Sequence, residues 1–190
     1  LSGQQFDMDK VRNAVDNTAE GIVHWKKFLS FAEHRPSGIT AFDSFVQMAP
    51  FLIMRGTEKF VAHYKLLAEE TEADMAAGRY PVPNERYRLL WDNIAIWYKV
   101  RDFANLFAER GMNFVTATYT NAWAETNALM DEAHPLESIA KTYSLVVLNN
   151  NLNHPLRLME RLIKEYDVDG LVIHSAKSCK PYSVGQYDLK

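Results

Sequence analysis

Between residues 6 and 32 the apolar side chains Phe6, Val11, Val15, Ile22, Trp25 and Leu29 recur mostly at three- and four-residue spacing, with polar residues between them. That period gathers them on one stripe of a long amphipathic helix, with His24, Lys26 and Lys27 off its apolar core. His34-Arg35-Pro36-Ser37-Gly38 ends this helix, because proline removes a backbone donor and glycine relaxes the backbone. Thr40 is placed to cap a short helix over 41–48. Thr57-Glu58 opens another, running to about 77, with Gly78 as its stop. Glu69, Glu70, Glu72 and Asp74 form a charge run whose ordinary meaning is a solvated helix face.

After residue 80 the pattern changes. Tyr80-Pro81-Val82-Pro83-Asn84 is a break in composition and the best domain boundary, dividing a mainly helical region (1–80) from an α/β domain (81–190). Arg88-Leu89-Leu90-Trp91 reads as a short strand, 96–110 as a helix ending at Gly111, and 113–118 as a second strand. Pro135 starts a helix to about 148 and Pro155 another to 166. Leu171-Val172-Ile173 is expected to be a buried strand, and a last helix begins near Tyr182. The order β-α-β-α-α-β-α implies a doubly wound, Rossmann- or flavodoxin-like parallel sheet with right-handed crossovers. Such sheets bind ligands beyond the carboxyl ends of their strands. The rule selects three loops: Trp91-Asp92-Asn93, Tyr119-Thr120-Asn121-Ala122-Trp123 and His174-Ser175-Ala176-Lys177-Ser178-Cys179.

Composition narrows the chemistry. The 190 residues carry 24 acidic and 21 basic side chains, net −3, and 47% are hydrophobic, which argues against disorder and rod-like coiled coils. The charge balance gives no reason to expect nucleic acid, and no apolar run approaches the ~18–20 residues of a membrane helix. The single cysteine, Cys179, forms no internal disulfide and cannot by itself build a four-ligand metal site. The sequence begins at Leu1 without a signal or transit segment and stops at Lys190, shortly after a new helix begins. It therefore reads as a piece of a longer cytoplasmic chain whose active site is partly elsewhere. No Gly-x-Gly-x-x-Gly, Walker loop, His-Glu-x-x-His or Gly-x-Ser-x-Gly is present. His24, His34, His63, His134 and His154 are scattered and read as surface or loop residues.

Cys179 stands out because it follows a strand and precedes a helix, with Lys177 and Lys180 beside it. Helix amides and nearby cations favour a thiolate, and Pro181 suits a first helical turn. Two chemistries fit these residues, against the bland alternative of an inert buried cysteine. In one, Cys179 is a nucleophile with His174 as its base. In the other, Cys179 is one ligand of an iron–sulfur cluster whose remaining ligands lie elsewhere.

The segment His174-Ser-Ala-Lys-Ser-Cys179-Lys-Pro-Tyr-Ser183, with Gly185-Gln186-Tyr187-Asp188 after it, resembles the 2-hydroxyacyl-CoA dehydratase family, which also contains benzoyl-CoA reductases. The resemblance extends to Pro83-Asn84-Glu85-Arg86-Tyr87-Arg88-Leu89-Leu90-Trp91-Asp92, Ile96-Trp97-Tyr98, the run from Phe107 to Gly111, Thr118-Tyr-Thr-Asn-Ala-Trp123 and Arg55-Gly56-Thr57, and so covers nearly the whole chain. It is similar to the alpha-type, substrate-binding subunit. The family implies a heterodimer with a second homologous subunit, each holding a [4Fe-4S] cluster through three cysteines, with Cys179 matching the last of the three. It implies a separate ATP-hydrolysing iron–sulfur activator that injects one electron, an acyl-CoA substrate, and no nucleotide bound by this chain. The 2-hydroxyacyl-CoA would lose hydroxide through a ketyl radical anion to give a 2-enoyl-CoA. Under this resemblance His174, Ser178 and Tyr182 are candidates to hydrogen-bond cluster or substrate, and Asn121, Trp123 and Ser178 to line the acyl-CoA pocket. The alternatives are a benzoyl-CoA reductase-like ring reductase, an iron-free thiol enzyme using Cys179 and His174, and a non-catalytic electron-relay subunit.

Overall fold

The amphipathic stripe forms α1 (Met8–Ser30) in the computed structural model, which describes residue 3 and residues 5–189. Leu1 and Lys190, the two ends of the chain, lie outside the described residues. The Asp7 carboxylate accepts from the backbone N–H groups of Asp9 and Lys10 and caps α1. Phe6 therefore falls before the helix and is 70% exposed, so the buried stripe starts later than its spacing suggested. α2 (Ala41–Val46) opens with a capping box between Thr40 and Asp43. The chain then turns into a separate short helix, α3 (Ala49–Ile53), that the sequence pattern had not resolved. α4 (Glu58–Ala76) is capped by Thr57, and its acidic run is exposed, with Glu72 paired to Lys27 and Asp74 to Arg79. α1 and α4 approach so closely that a Cβ on Gly21 would lie 2.2 Å from the Phe60 ring.

The second half holds β1 (Tyr87–Asp92), α5 (Val100–Ala108), β2 (Met112–Ala117), α6 (Thr118–Asn127), α7 (Pro135–Ser144), α8 (Asn153–Glu165), β3 (Gly170–Ile173) and the one-turn α9 (Lys180–Ser183). The predicted helix over 96–110 is shorter, because 97–99 form a 3₁₀ turn before α5. The predicted loop 119–123 is instead the body of α6. Its β-branched and aromatic residues favour a strand, but packing overrides that preference by burying Thr120, Asn121, Ala122 and Ala124.

The three strands make an all-parallel α/β sheet in the order β2-β1-β3, with an irregularity in register between Leu89 and Leu90. Strands are added first on one side of β1 and then on the other, which makes the carboxyl end of β1 the switch point of the sheet. β3 pairs only with β1 and is less covered than expected: Leu171 is 36% exposed, and Val172 and Ile173 are half-buried.

One apolar core spans the break at 80–84. Trp25 on α1 is fully buried against Phe28, Phe51 and Tyr64, at ring separations of 5.4, 5.3 and 5.1 Å. Phe42 on α2 meets Trp91 and Phe114 of the sheet at 5.9 and 5.3 Å. Among the described residues no helix is long and apolar enough to cross a membrane.

Candidate active site

β1 ends at Asp92, and Asn93 turns the chain with φ of 86°, a conformation asparagine tolerates better than most residues. The Thr118 hydroxyl, at the start of α6, donates to the Asp92 carboxylate at 2.7 Å and accepts from the Asn93 amide at 3.1 Å. Asn93 Nδ2 donates to the Tyr182 carbonyl at 2.9 Å. The loop after β3 is pinned as firmly: Gln186 Nε2 donates to the His174 carbonyl, and Ser183 Oγ donates to the carbonyls of Ala176 and Cys179. The polar residues that follow Cys179 in the sequence thus fix the backbone that presents it.

These fixed ends enclose a cavity of about 460 Å³, within the ~300–1,000 Å³ range usual for small-molecule sites. Cys179 lines it together with Tyr119, Trp123, Tyr182, Arg55 and an apolar wall at 146–148. Tyr119 and Tyr182 meet edge-on at 5.9 Å. Burial raises the pKa of both phenols, and negative charge on Cys179 adds a smaller rise to each. Both therefore remain neutral O–H donors near pH 7. Tyr182 also lines a smaller cavity of about 80 Å³ with Asp92 and Thr118. Burial raises the Asp92 pKa, and the Thr118 hydrogen bond opposes part of that rise.

The far wall comes from the helical half. Arg55 follows α3, where Gly56 takes φ of +83° and a Cβ there would meet Ala14 of α1 at 3.1 Å. The Arg55 guanidinium donates to Asn127 Oδ1 at 3.2 Å and Tyr143 Oη at 3.0 Å, and lies 5.9 Å from the Trp123 ring. Phe51 of α3 packs on Trp123 at 5.8 Å, and Trp25 Nε1 donates to the Thr120 carbonyl at 3.4 Å. The helical core therefore sets the position of α6 and with it the cavity wall.

Of the residues expected at the site, Cys179, Trp123 and Tyr182 come together in this cavity. Asn121 does not join them. It is buried, and its amide is engaged by Thr116 Oγ1 at 2.9 Å and the Ala117 carbonyl at 3.0 Å, because 119–123 is helical and turns it away. Ser178 is exposed and outside the cavity lining. His174 binds the Ile94 carbonyl through Nδ1 at 2.8 Å and packs against Trp91 at 5.6 Å, and no hydrogen bond joins it to Cys179 among the described residues. The residues missed from sequence are Arg55 and Tyr143, while Tyr119 falls in one of the three selected loops without being singled out there. Arg55 lies 124 positions from Cys179, and nothing local marks it as a neighbour.

A four-iron cluster held by protein needs several thiolates. The chain has one, and among the described residues no group of three Cys, His, Asp or Glu is placed to hold a metal ion. The sulfur borders a cavity beside neutral hydroxyl donors, so these residues fit one corner of such a site and not a complete cage.

The profile of the 2-hydroxyglutaryl-CoA dehydratase D-component matches residues 1–190. The chain is 33% identical to a benzoyl-CoA reductase subunit of Thauera aromatica, over 98% of this chain and 45% of that one. It is 31% identical to the (R)-2-hydroxyisocaproyl-CoA dehydratase alpha subunit of Clostridioides difficile, over 100% of this chain and 46% of the relative. It is 26% identical to the (R)-2-hydroxyglutaryl-CoA dehydratase alpha subunit of Acidaminococcus fermentans, over 96% and 37% respectively. The chain spans less than half the length of these relatives.

Proposed function

Because the chain belongs to the 2-hydroxyglutaryl-CoA dehydratase D-component family, we propose that it forms part of an alpha-type subunit of a 2-hydroxyacyl-CoA dehydratase, and that the Cys179 cavity receives the acyl thioester. The observation that carries this reading is the lone thiol in the loop beyond the carboxyl end of β3, lining an aromatic and apolar cavity large enough for a ligand. In the proposal Cys179 binds one iron of a [4Fe-4S] cluster, completed by two cysteines elsewhere in the protein. Such a cluster supplies low-potential one-electron transfer and, at an iron without a cysteine ligand, Lewis acidity.

The chain's own residues do the rest. Tyr119 and Tyr182 stay protonated and donate hydrogen bonds toward the thiolate sulfur or a substrate oxygen. Trp123, Ile94 and the wall at 146–148 keep water from the reacting thioester. The proposed reaction converts an (R)-2-hydroxyacyl-CoA to a 2-enoyl-CoA. One electron from a separate ATP-dependent activator gives a ketyl radical anion, hydroxide leaves C2, a proton leaves C3, and the electron is returned. The proposed assembly is a cytoplasmic heterodimer with a homologous subunit. The similarity to a benzoyl-CoA reductase subunit supports ring reduction as a second reading. An iron-free thiol enzyme has less support, because His174 is committed to the Ile94 carbonyl rather than to Cys179.

The test uses the full-length subunit produced anaerobically with its partner and activator, supplied with ATP and a reductant. Dehydration of at least one 2-hydroxyacyl-CoA from a panel is expected. Reduction of benzoyl-CoA with no dehydration would favour the second reading, and neither activity would overturn both.

A further inference from the structure

We propose that Arg55 is the anion-binding residue of the Cys179 cavity, taking a carboxylate or phosphate oxygen of the ligand. The cavity lining contains no Lys, His, Asp or Glu, so Arg55 is its one residue charged at neutral pH other than a cysteine in thiolate form. No carboxylate lies within ion-pair distance of it among the described residues. Its two hydrogen-bond partners, Asn127 Oδ1 and Tyr143 Oη, are neutral.

The Asn127 partner is itself held. Asn127 Nδ2 donates to the Trp123 carbonyl at 2.9 Å, which orients Oδ1 toward the guanidinium. The Trp123 ring beside it adds a cation–π contact that holds the charge without neutralising it. A guanidinium has five donors in a planar fork, and two are used here, so its geometry is set while donors remain for a ligand. The guanidinium is half-buried and borders the apolar wall at 146–148, where a charge-assisted pair is stronger than in open water. A wholly uncharged ligand filling the cavity would displace water from this side of the cation and give it no counter-ion in return. The pocket therefore selects for a ligand that carries negative oxygen.

That the anion belongs to an acyl thioester rests on the function proposed above; the anion site rests on the cavity alone. An acyl-CoA offers such oxygen from two places: a carboxylate at the far end of a dicarboxylic acyl chain, or the phosphates of the CoA.

The experiment is anaerobic titration calorimetry on the full-length holoprotein and its Arg55→Gln and Arg55→Lys variants, after iron content and melting temperature show that each variant is folded and loaded like wild type. The probes are glutaryl-CoA, butyryl-CoA, the two corresponding pantetheine thioesters, glutarate and inorganic pyrophosphate. Arg55→Gln is expected to weaken glutaryl-CoA binding by about tenfold to a hundredfold, the usual cost of losing a hydrogen bond to a charged group, and Arg55→Lys by less. If the carboxylate is bound, both glutaryl thioesters weaken and both butyryl thioesters are unchanged. If phosphate is bound, both CoA thioesters weaken and both pantetheine thioesters are unchanged. Equal weakening of all four, including uncharged butyryl-pantetheine, would show a merely structural role and overturn the proposal. So would no change for any probe, or a wild-type protein that takes up none of the six. Wild-type binding of glutarate or pyrophosphate, lost in Arg55→Gln, with no thioester bound, would keep the anion site and count against the dehydratase reading.

Discussion

Arg88 and Glu85 show how much of this fold hangs on two charges: their side chains are 0% and 2% exposed and pair at 2.6 Å. Arg88 also donates to the carbonyls of Tyr166 at 2.8 Å, His34 at 3.0 Å and Ala32, while Glu85 accepts from the Ser37 amide and Asn113 Nδ2. The pair ties the end of α1, the end of α8 and both β1 and β2 together. Removing one partner of a buried pair typically costs ~3–5 kcal/mol. Arg88→Met should lower unfolding stability in urea by about that much, and Arg88→Met/Glu85→Gln should be less damaged than Arg88→Met alone. A single variant as stable as wild type would contradict this account.

Asp92 behaves in the opposite sense. Burial raises its pKa, so the folded chain holds this proton more tightly than the unfolded chain does. The associated stability is complete below the unfolded carboxylate pKa and is lost as pH rises through the folded one. Asp92→Asn, which keeps an acceptor for Thr118, should raise the melting temperature at pH 7, and the gain should shrink toward pH 4. A gain that does not vary with pH would contradict burial as its cause. Neither role was legible in the sequence: Arg88 reads simply as part of a strand and Asp92 as part of the loop that follows it, and only their neighbours bury them.

Among elements, α1 was legible from its apolar period and α4 from its start at Thr57 and stop at Gly78. α6 was not, because strand-favouring Thr118, Tyr119, Thr120 and Trp123 form a helix when packed beside α1 and the sheet. That difference matters for the site, since it brings Tyr119 and Trp123 to the cavity and commits Asn121 to the interior. The α1–α4 contact can be tested directly. Gly21→Val should cost ~1–3 kcal/mol by overpacking against Phe60. Gly21→Val with Phe60→Ala should lose clearly less than the two single losses added, because the variants share one space. Strict additivity in urea unfolding would show that the contact is looser than described.

At the scale of the molecule, the sequence order of strands and helices foretold a parallel sheet, and Cys179 follows the carboxyl end of β3. What it could not supply is the wall from the other half, because Arg55 is brought to the cavity by tertiary packing, including that of Phe51 on Trp123 and its own bonds to Asn127 and Tyr143. The central claim is that Cys179 holds one iron of a cluster shared with the rest of the protein. The most direct measurement is iron and acid-labile sulfide, with Mössbauer spectra, on the anaerobically purified full-length complex and on its Cys179→Ser variant. The account predicts a [4Fe-4S] spectrum in wild type, and its loss or conversion in Cys179→Ser while the far-ultraviolet circular dichroism is unchanged. An iron-free wild-type subunit, or a Cys179→Ser variant with an undiminished and unaltered cluster, would contradict it.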